Sequence, residues 1–180
     1  MNRCDRFLVL TGGPGSGKTT LAAALAREGI ATMPESGRAV IRDQRAAGGR
    51  ALPWDDRAAY AREMARRDIA NWHAARRLDG PVVFDRGLGD VIGYLRLCDL
   101  PVPPGLLAEA RSYPYAQSVL LAPHWPEIYR NDTERLQDET EARATCTAVA
   151  AAWEELGYEL AELPRAPVAE RVRFVLATLR

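Results

Sequence analysis

Eight consecutive residues, Gly12-Gly13-Pro14-Gly15-Ser16-Gly17-Lys18-Thr19, satisfy the pattern G-x-x-x-x-G-K-[ST] in full. A bound nucleoside triphosphate is a small, densely charged anion that needs many N–H donors converging on it. Gly12, Gly15 and Gly17 let the backbone turn and approach the phosphates with no Cβ in the way. The helix that should follow adds its unpaired N-terminal N–H groups and its dipole. Lys18 can place a cation between the β- and γ-phosphates, the Thr19 hydroxyl can ligate Mg²⁺, and Thr20 completes the nucleotide-binding stretch.

Three further groups of residues could do chemistry beside that loop. The run Val82-Val83-Phe84-Asp85-Arg86-Gly87 puts a carboxylate at the end of an apolar strand, where open α/β sheets bind ligands. Asp85 there can reach Mg²⁺, and Arg86 can reach a transferring or acceptor phosphate; the competing reading of Asp85 is a helix N-cap. Pro34-Glu35-Ser36-Gly37-Arg38 places Glu35 at a second strand end. That carboxylate can accept a hydroxyl proton or hydrogen-bond a sugar, or simply complement a helix dipole. The segment from Pro123 to Glu139 mixes proline, Trp125 and the two arginines Arg130 and Arg135. It reads as a lid whose arginines close over the γ-phosphate and exclude water, or as a solvated helix with Glu–Arg pairs. Trp125 could stack on a ring or merely pack.

These groups need a scaffold that brings strand ends together. Strand candidates are Arg6–Thr11, Ile30–Pro34, Pro81–Asp85, Gln117–Ala122 and Tyr158–Ala161, several of them continuous apolar runs suited to strands buried on both faces. Between them, Asp55–Leu78 carries Ala61, Ala65, Ile69 and Trp72 on one stripe, and Thr140–Leu156 carries Cys146, Val149, Ala150 and Trp153. A last helix starts near Pro167, where a missing N–H costs little. Strand–helix alternation with right-handed crossovers gives a parallel, three-layer α/β sheet. Gly48-Gly49, Pro53, Pro101 and Pro103-Pro104 mark loops inside one domain spanning residues 1–180.

Composition narrows the function classes. Lys+Arg is 24 and Asp+Glu is 24, which argues against the basic face of a nucleic-acid binder. The basic residues are nearly all arginine, suited to bidentate recognition of phosphate and carboxylate. Cys4, Cys98 and Cys146 have no metal or redox spacing. No signal peptide or bilayer-spanning stretch is evident, so a cytoplasmic location is expected. His73 and His124 are isolated.

With these residues in view, the whole chain resembles the compact phosphate-loop ATPase family that includes the ribosylnicotinamide-kinase domain of the bifunctional NAD-synthesis regulator. That family belongs to the wider nucleoside- and nucleotide-kinase-like fold. The likeness rests on Gly12–Thr19, on Glu35-x-x-Arg38, on Asp85-Arg86-Gly87, on the Pro-Trp within Pro123–Pro126, and on Asp132-x-x-Arg135. The Asp-Arg-Gly form is similar to the Asp-Arg-x of thymidylate-kinase-like proteins. The resemblance implies a five-stranded parallel sheet in the order 2-3-1-4-5. It implies adenine packing near Pro164 and Val168, and Arg130 or Arg135 as the lid arginine.

The expectation is an ATP- and Mg²⁺-dependent small-molecule kinase acting on a hydroxyl of a nucleoside-like or other metabolite. Lys18, Glu35, Asp85, Arg86 and a lid arginine would be catalytic, Thr19 and Asp85 would hold the metal, and Glu35, Arg38 and Trp125 would meet the acceptor. A nucleotide-dependent binding module with slow hydrolysis, or an antibiotic phosphotransferase, would use the same loop. Nucleic acid is not an expected partner, and the sequence leaves the oligomeric state open.

Overall fold

The computed structural model describes residues 5–128 and 139–179. Apolar runs that cannot be left in water fix its centre. Phe7–Gly12 forms β1, buried along its whole length, and Val82–Asp85 forms β3, likewise buried. Ala31–Met33 (β2), Ser118–Ala122 (β4) and Glu159–Glu162 (β5) complete a sheet of order β2-β3-β1-β4-β5, with every pairing parallel. The expected strand order is therefore found. β1 and β3 are central because both of their faces are apolar, whereas β5 at the edge has exposed ends and only half-buried middle residues.

Helices cover both faces. Lys18–Arg27 (α1) and Val168–Thr178 (α7) pack on one side, with Leu21, Leu25, Val172 and Val175 meeting Leu8, Leu10 and Leu120 of the sheet. Ser36–Ala47 (α2), Arg57–Ala75 (α3), Leu88–Leu97 (α4), Pro104–Ser112 (α5) and Glu139–Glu155 (α6) make the other parts of the shell. The sequence periodicity locates α3, α6 and α7 to within a few residues. It passes over α2, although Val40 and Ile41 form a buried face there, and over α5, which is nine residues long. Asp56 caps α3 by accepting from the Ala59 N–H at 2.8 Å, so the helix begins two residues after Asp55.

The opposite core is strongly aromatic. Phe7, Trp72, Phe84, Tyr115, Trp153 and Tyr158 form one cluster, and successive rings meet edge to face at 5.0–5.7 Å between centroids. Trp72 and Tyr158 also satisfy their polar ends: Trp72 Nε1 donates to the Pro114 carbonyl at 3.0 Å, and the Tyr158 hydroxyl oxygen accepts from the Tyr115 N–H at 3.2 Å.

Helix α4 passes unusually close to α6, and small residues make that possible. A Cβ on Gly93 would lie 2.7 Å from the Val149 Cα and 2.9 Å from the Ala148 carbonyl oxygen; one on Gly89 would lie 2.5 Å from the Trp153 ring. Gly93→Ala should therefore force backbone apart and cost roughly 1–3 kcal/mol, read as a lowered Tm. Gly105→Ala in α5, where nothing lies within 4 Å, should be neutral or stabilising by up to about 1 kcal/mol. Equal Tm values for the two variants would rule out a close α4–α6 seam.

Candidate functional site

The carboxyl ends of β1, β2 and β3 open onto one place, and the predicted chemical residues gather there. The phosphate loop leaves β1 at Gly12 and delivers Lys18 as the first residue of α1. Gly17 adopts φ +77° immediately before that helix, a left-handed conformation that a side chain would strain. The space beside Gly12 and Gly13 is filled by neighbouring backbone: a Cβ would lie 2.2 Å from the Ala122 carbonyl oxygen at Gly12 and 2.4 Å from the Ala142 carbonyl oxygen at Gly13. These two glycines thus seat the loop against β4 and α6, and Gly15 and Gly17 give it its turns.

Lys18 is buried and folded back on its own loop. Its Nζ donates to the Gly12 carbonyl at 3.1 Å, to the Gly13 carbonyl and to Ser16 Oγ at 3.1 Å. Ser16 Oγ donates to the Gly13 carbonyl at 2.8 Å. Burial, reinforced by Arg86, lowers the Lys18 ammonium to about 7, against the opposing pull of Asp85, Glu35 and Asp90. A phosphate arriving in the loop supplies the negative charge that restores full protonation. Thr19 and Thr20 are exposed beside it.

Asp85 ends β3, paired in register with Leu10 of β1. It is buried, and its Oδ1 has no hydrogen-bond partner among the described residues. Burial, then Glu35, raise its carboxyl above the ordinary range. A buried, unpaired carboxylate oxygen next to a phosphate loop has the hard-donor chemistry that suits Mg²⁺. The helix-cap reading of Asp85 fails, because the N-cap of α4 is Gly87 and the carboxylate that accepts its N–H is that of another residue.

That residue is Asp90. One of its oxygens accepts from Thr11 Oγ1 at 2.6 Å and Arg86 Nη1 at 2.8 Å; the other accepts from the Gly87 N–H at 3.2 Å and Trp153 Nε1 at 3.1 Å. Arg86 is thereby held in a left-handed backbone conformation, φ +77°. Its Nε lies 3.4 Å from Glu35 Oε1. Burial would lower the guanidinium, but Glu35, Asp90 and Asp85 more than reverse this and raise it. Glu35, 9% exposed, also takes the Arg38 Nε at 3.1 Å on its other oxygen. The structure therefore brings Lys18, Glu35, Arg38, Asp85 and Arg86 together as the sequence predicts. It adds Asp90, whose only sequence trace is an acid in the first turn after Asp-Arg-Gly.

Beside this group lies a cavity of about 580 Å³ lined by residues that include Pro14, Glu35, Tyr60, Met64, Asp68 and Tyr94. Asp68, 4% exposed, accepts the Ser36 hydroxyl, and burial raises its carboxyl to about 7. A visible signal for it exists: Asp68 is a charged residue on the otherwise apolar stripe of α3, four residues from both Met64 and Trp72. Trp54, 54% exposed, and Arg45 stack at 5.0 Å at the outer edge of the same cavity. Trp125 is elsewhere. It is half-buried, with the Arg171 guanidinium 5.9 Å from its ring centre. A smaller hollow of about 390 Å³ is bounded by His124, Pro126, Glu127, Arg143 and Arg165, next in sequence to Pro164; Pro164 and Val168 are half-buried. Arg130, Asp132 and Arg135 lie outside the described residues. No described helix is long and apolar enough to cross a membrane.

Asp68 generates a pH prediction. A carboxyl raised from 3.8 to about 7 on folding keeps a proton that the unfolded chain has lost, so stability falls as pH rises from about 4 through 7. Asp68→Asn retains an acceptor for Ser36 and removes that charge. Relative to the parent, Asp68→Asn should gain stability on the order of a few kcal/mol at pH 8 and almost none at pH 4. Denaturant unfolding at the two pH values checks this; a difference independent of pH would show that Asp68 does not titrate this way.

No curated protein matches the sequence. Solved structures do match in fold. Deoxyadenosine kinase from M. mycoides with bound dATP is 12% identical, with a TM-score of 0.65 over 97% of this chain and 98% of that one. NadR protein in complex with NR is 18% identical with a TM-score of 0.69, over 97% of this chain and 50% of NadR. Shikimate kinase from Acinetobacter baumannii, in complex with shikimate, is 16% identical with a TM-score of 0.57, over 95% of this chain and 90% of that one. At such identities the likeness carries the fold: a phosphate-loop, kinase-like α/β sheet. The sequence profile of one family matches residues 7–171, nearly the whole chain, and by it the protein belongs to the AAA domain family.

Proposed function

We propose that this protein is an ATP- and Mg²⁺-dependent kinase that transfers the γ-phosphoryl group to a hydroxyl of a small molecule. One observation carries the reading. Glu35 is a buried carboxylate at the carboxyl end of β2, held by two arginines, and it faces a cavity that Pro14 of the phosphate loop also lines. Donor and acceptor sides thus share a wall. A nucleotide switch needs the loop but has no use for an oriented carboxylate with a cavity beside it.

The residues divide the work as follows. The loop amides and Lys18 bind the β- and γ-phosphates. Mg²⁺ supplies charge neutralisation between the phosphates when bound, and Thr19 with Asp85 would hold it. An acceptor in the cavity places its hydroxyl near Glu35, which takes the hydroxyl proton as the oxygen bonds to the γ-phosphorus and the bond to the ADP oxygen breaks. Arg86, pinned by Asp90, fixes Glu35 and stabilises the charge on the group in transit. Tyr60, Met64 and Tyr94 give the acceptor an apolar, ring-sized seat, and Ser36 with Asp68 offers hydrogen bonds to further hydroxyls. These walls support a nucleoside-like or other cyclic polyol acceptor. The hollow next to Arg165 supports seating of the ATP base there. The balanced overall charge supports a small-molecule partner over nucleic acid, and the lack of a spanning helix among the described residues fits the expected cytoplasmic setting.

ADP release in the presence of pooled nucleosides, ribosides and cyclic alcohols tests the reading. A true acceptor should raise turnover by orders of magnitude over hydrolysis alone, because it displaces water and aligns the attacking oxygen. Glu35→Gln should then lower acceptor-dependent transfer by about 10²–10⁴-fold and leave background hydrolysis within about threefold. Loss of both to the same extent would place Glu35 in the fold, not in proton transfer.

Asp85→Asn should impair Mg²⁺-dependent turnover at least about tenfold while leaving Mg²⁺-free ATP binding within about threefold, since the amide keeps the size and loses the charge. Turnover within about twofold of the parent, a barrier change of roughly 0.4 kcal/mol, would remove Asp85 from the metal site.

A further inference from the structure

Arg171 has an unusual position for a cation. It is on α7, 2% exposed, and no carboxylate pairs with it among the described residues. Its Nη1 donates to the Ser16 carbonyl of the phosphate loop at 3.0 Å. The same Nη1 would lie 2.8 Å from a Cβ at Gly17, so the guanidinium rests directly under the loop's last turn. Its face lies toward Trp125, at 5.9 Å, in the stretch that runs from β4 into the Pro126–Ile128 turn. Its Nε is buried with no hydrogen-bond partner.

A buried cation with one carbonyl and one ring for company is costly. Breaking or omitting the partner of a buried charge ordinarily costs several kcal/mol, and burial lowers the Arg171 guanidinium from its ordinary value, with no acid among the described residues raising it. A strut that only braced the loop would be better built from an apolar side chain. The charge makes sense once a polyphosphate occupies the loop that the guanidinium touches: the ligand's negative charge then compensates it through a few ångströms of low-dielectric protein.

We propose that Arg171 is a positioning residue for the bound nucleotide, a buried cation without a carboxylate partner among the described residues, whose counter-charge is the ligand's phosphates and which ties the phosphate loop to the Trp125 segment. The inference uses only the nucleotide-binding half of the reading above and is independent of the acceptor.

The sign of the stability effect distinguishes this role from a structural one. Arg171→Met keeps an unbranched apolar stem and carries no charge. In the nucleotide-free protein its Tm should equal or exceed that of the parent. Its affinity should fall in proportion to ligand charge, by about tenfold or more for ATP, less for ADP and least for AMP, as read by calorimetry at one fixed salt concentration. Arg171→Lys, which retains the cation, should bind ATP within about threefold of the parent, and a methionine variant with a Tm below the parent's would count against the proposal. Equal losses for ATP and AMP, or a lysine variant as weak as the methionine one, would make Arg171 a plain strut and overturn the proposal. A parent protein that binds no ATP at all would instead overturn the phosphate-loop reading, which separates the two failures.

Discussion

One buried carboxylate organises the site. Asp90 accepts from the Thr11 hydroxyl at the end of β1, from Arg86 and the Gly87 N–H after β3, and from the indole of Trp153 on α6. Four donors from three parts of the chain end on two oxygens. In the low dielectric of the interior such charge-assisted bonds are short and strong, and losing any one leaves an expensive unpaired group. Because of that convergence, the two central strands stop in register. Arg86 tolerates a left-handed backbone there, and its guanidinium is aimed at Glu35. The chemistry proposed for Glu35 depends on that chain of constraints more than on any property of the glutamate itself.

The hydrophobic architecture serves the same end. The network can be buried only if α4 and α6 approach until Trp153 reaches Asp90. Gly89 and Gly93 remove the side chains that would hold the helices apart. The aromatic cluster behind them, Phe84, Tyr115 and Trp153 in edge-to-face contact with Phe7 tilted against Phe84, keeps the indole in place. Packing and electrostatics are therefore one device: the close seam excludes water, and the exclusion of water is what makes four hydrogen bonds to one carboxylate worth forming.

Charge in this site is held ready for ligand. Lys18 is satisfied by its own loop carbonyls, and burial lowers its affinity for a proton. Among the described residues, one oxygen of Asp85 has no partner and Arg171 has no acid beside it. Each is a cost to the folded chain that the proposed polyphosphate ligand and its cation would remove. Strained or under-satisfied groups concentrated at one place are the usual mark of a functional site, and here they surround the phosphate loop on three sides.

Much of this was legible in the sequence, and the reason is local. The phosphate loop is a contiguous pattern in which every position answers to backbone geometry or to one anion. Apolar runs of four to six residues bury themselves on both faces whatever surrounds them, so the parallel sheet followed, and with it the strand-end places of Glu35 and Asp85. The 2-3-1-4-5 order came from resemblance to a family and not from any spacing. Residues whose meaning comes from partners distant in sequence stayed hidden. Asp90 meets Trp153 across 63 positions and Arg171 meets Ser16 across 155; nothing near either residue announces the partner. Trp125 read as a ligand platform because a proline-flanked tryptophan has no local signature of what it packs on, and only the fold set it beside Arg171. The sequence by itself determined which atoms could hold a triphosphate. Which carboxylates stand paired, which stand alone, and which cation waits beneath the loop were decided by tertiary structure, because burial and counter-charge are properties of neighbours that the chain brings together only when it folds.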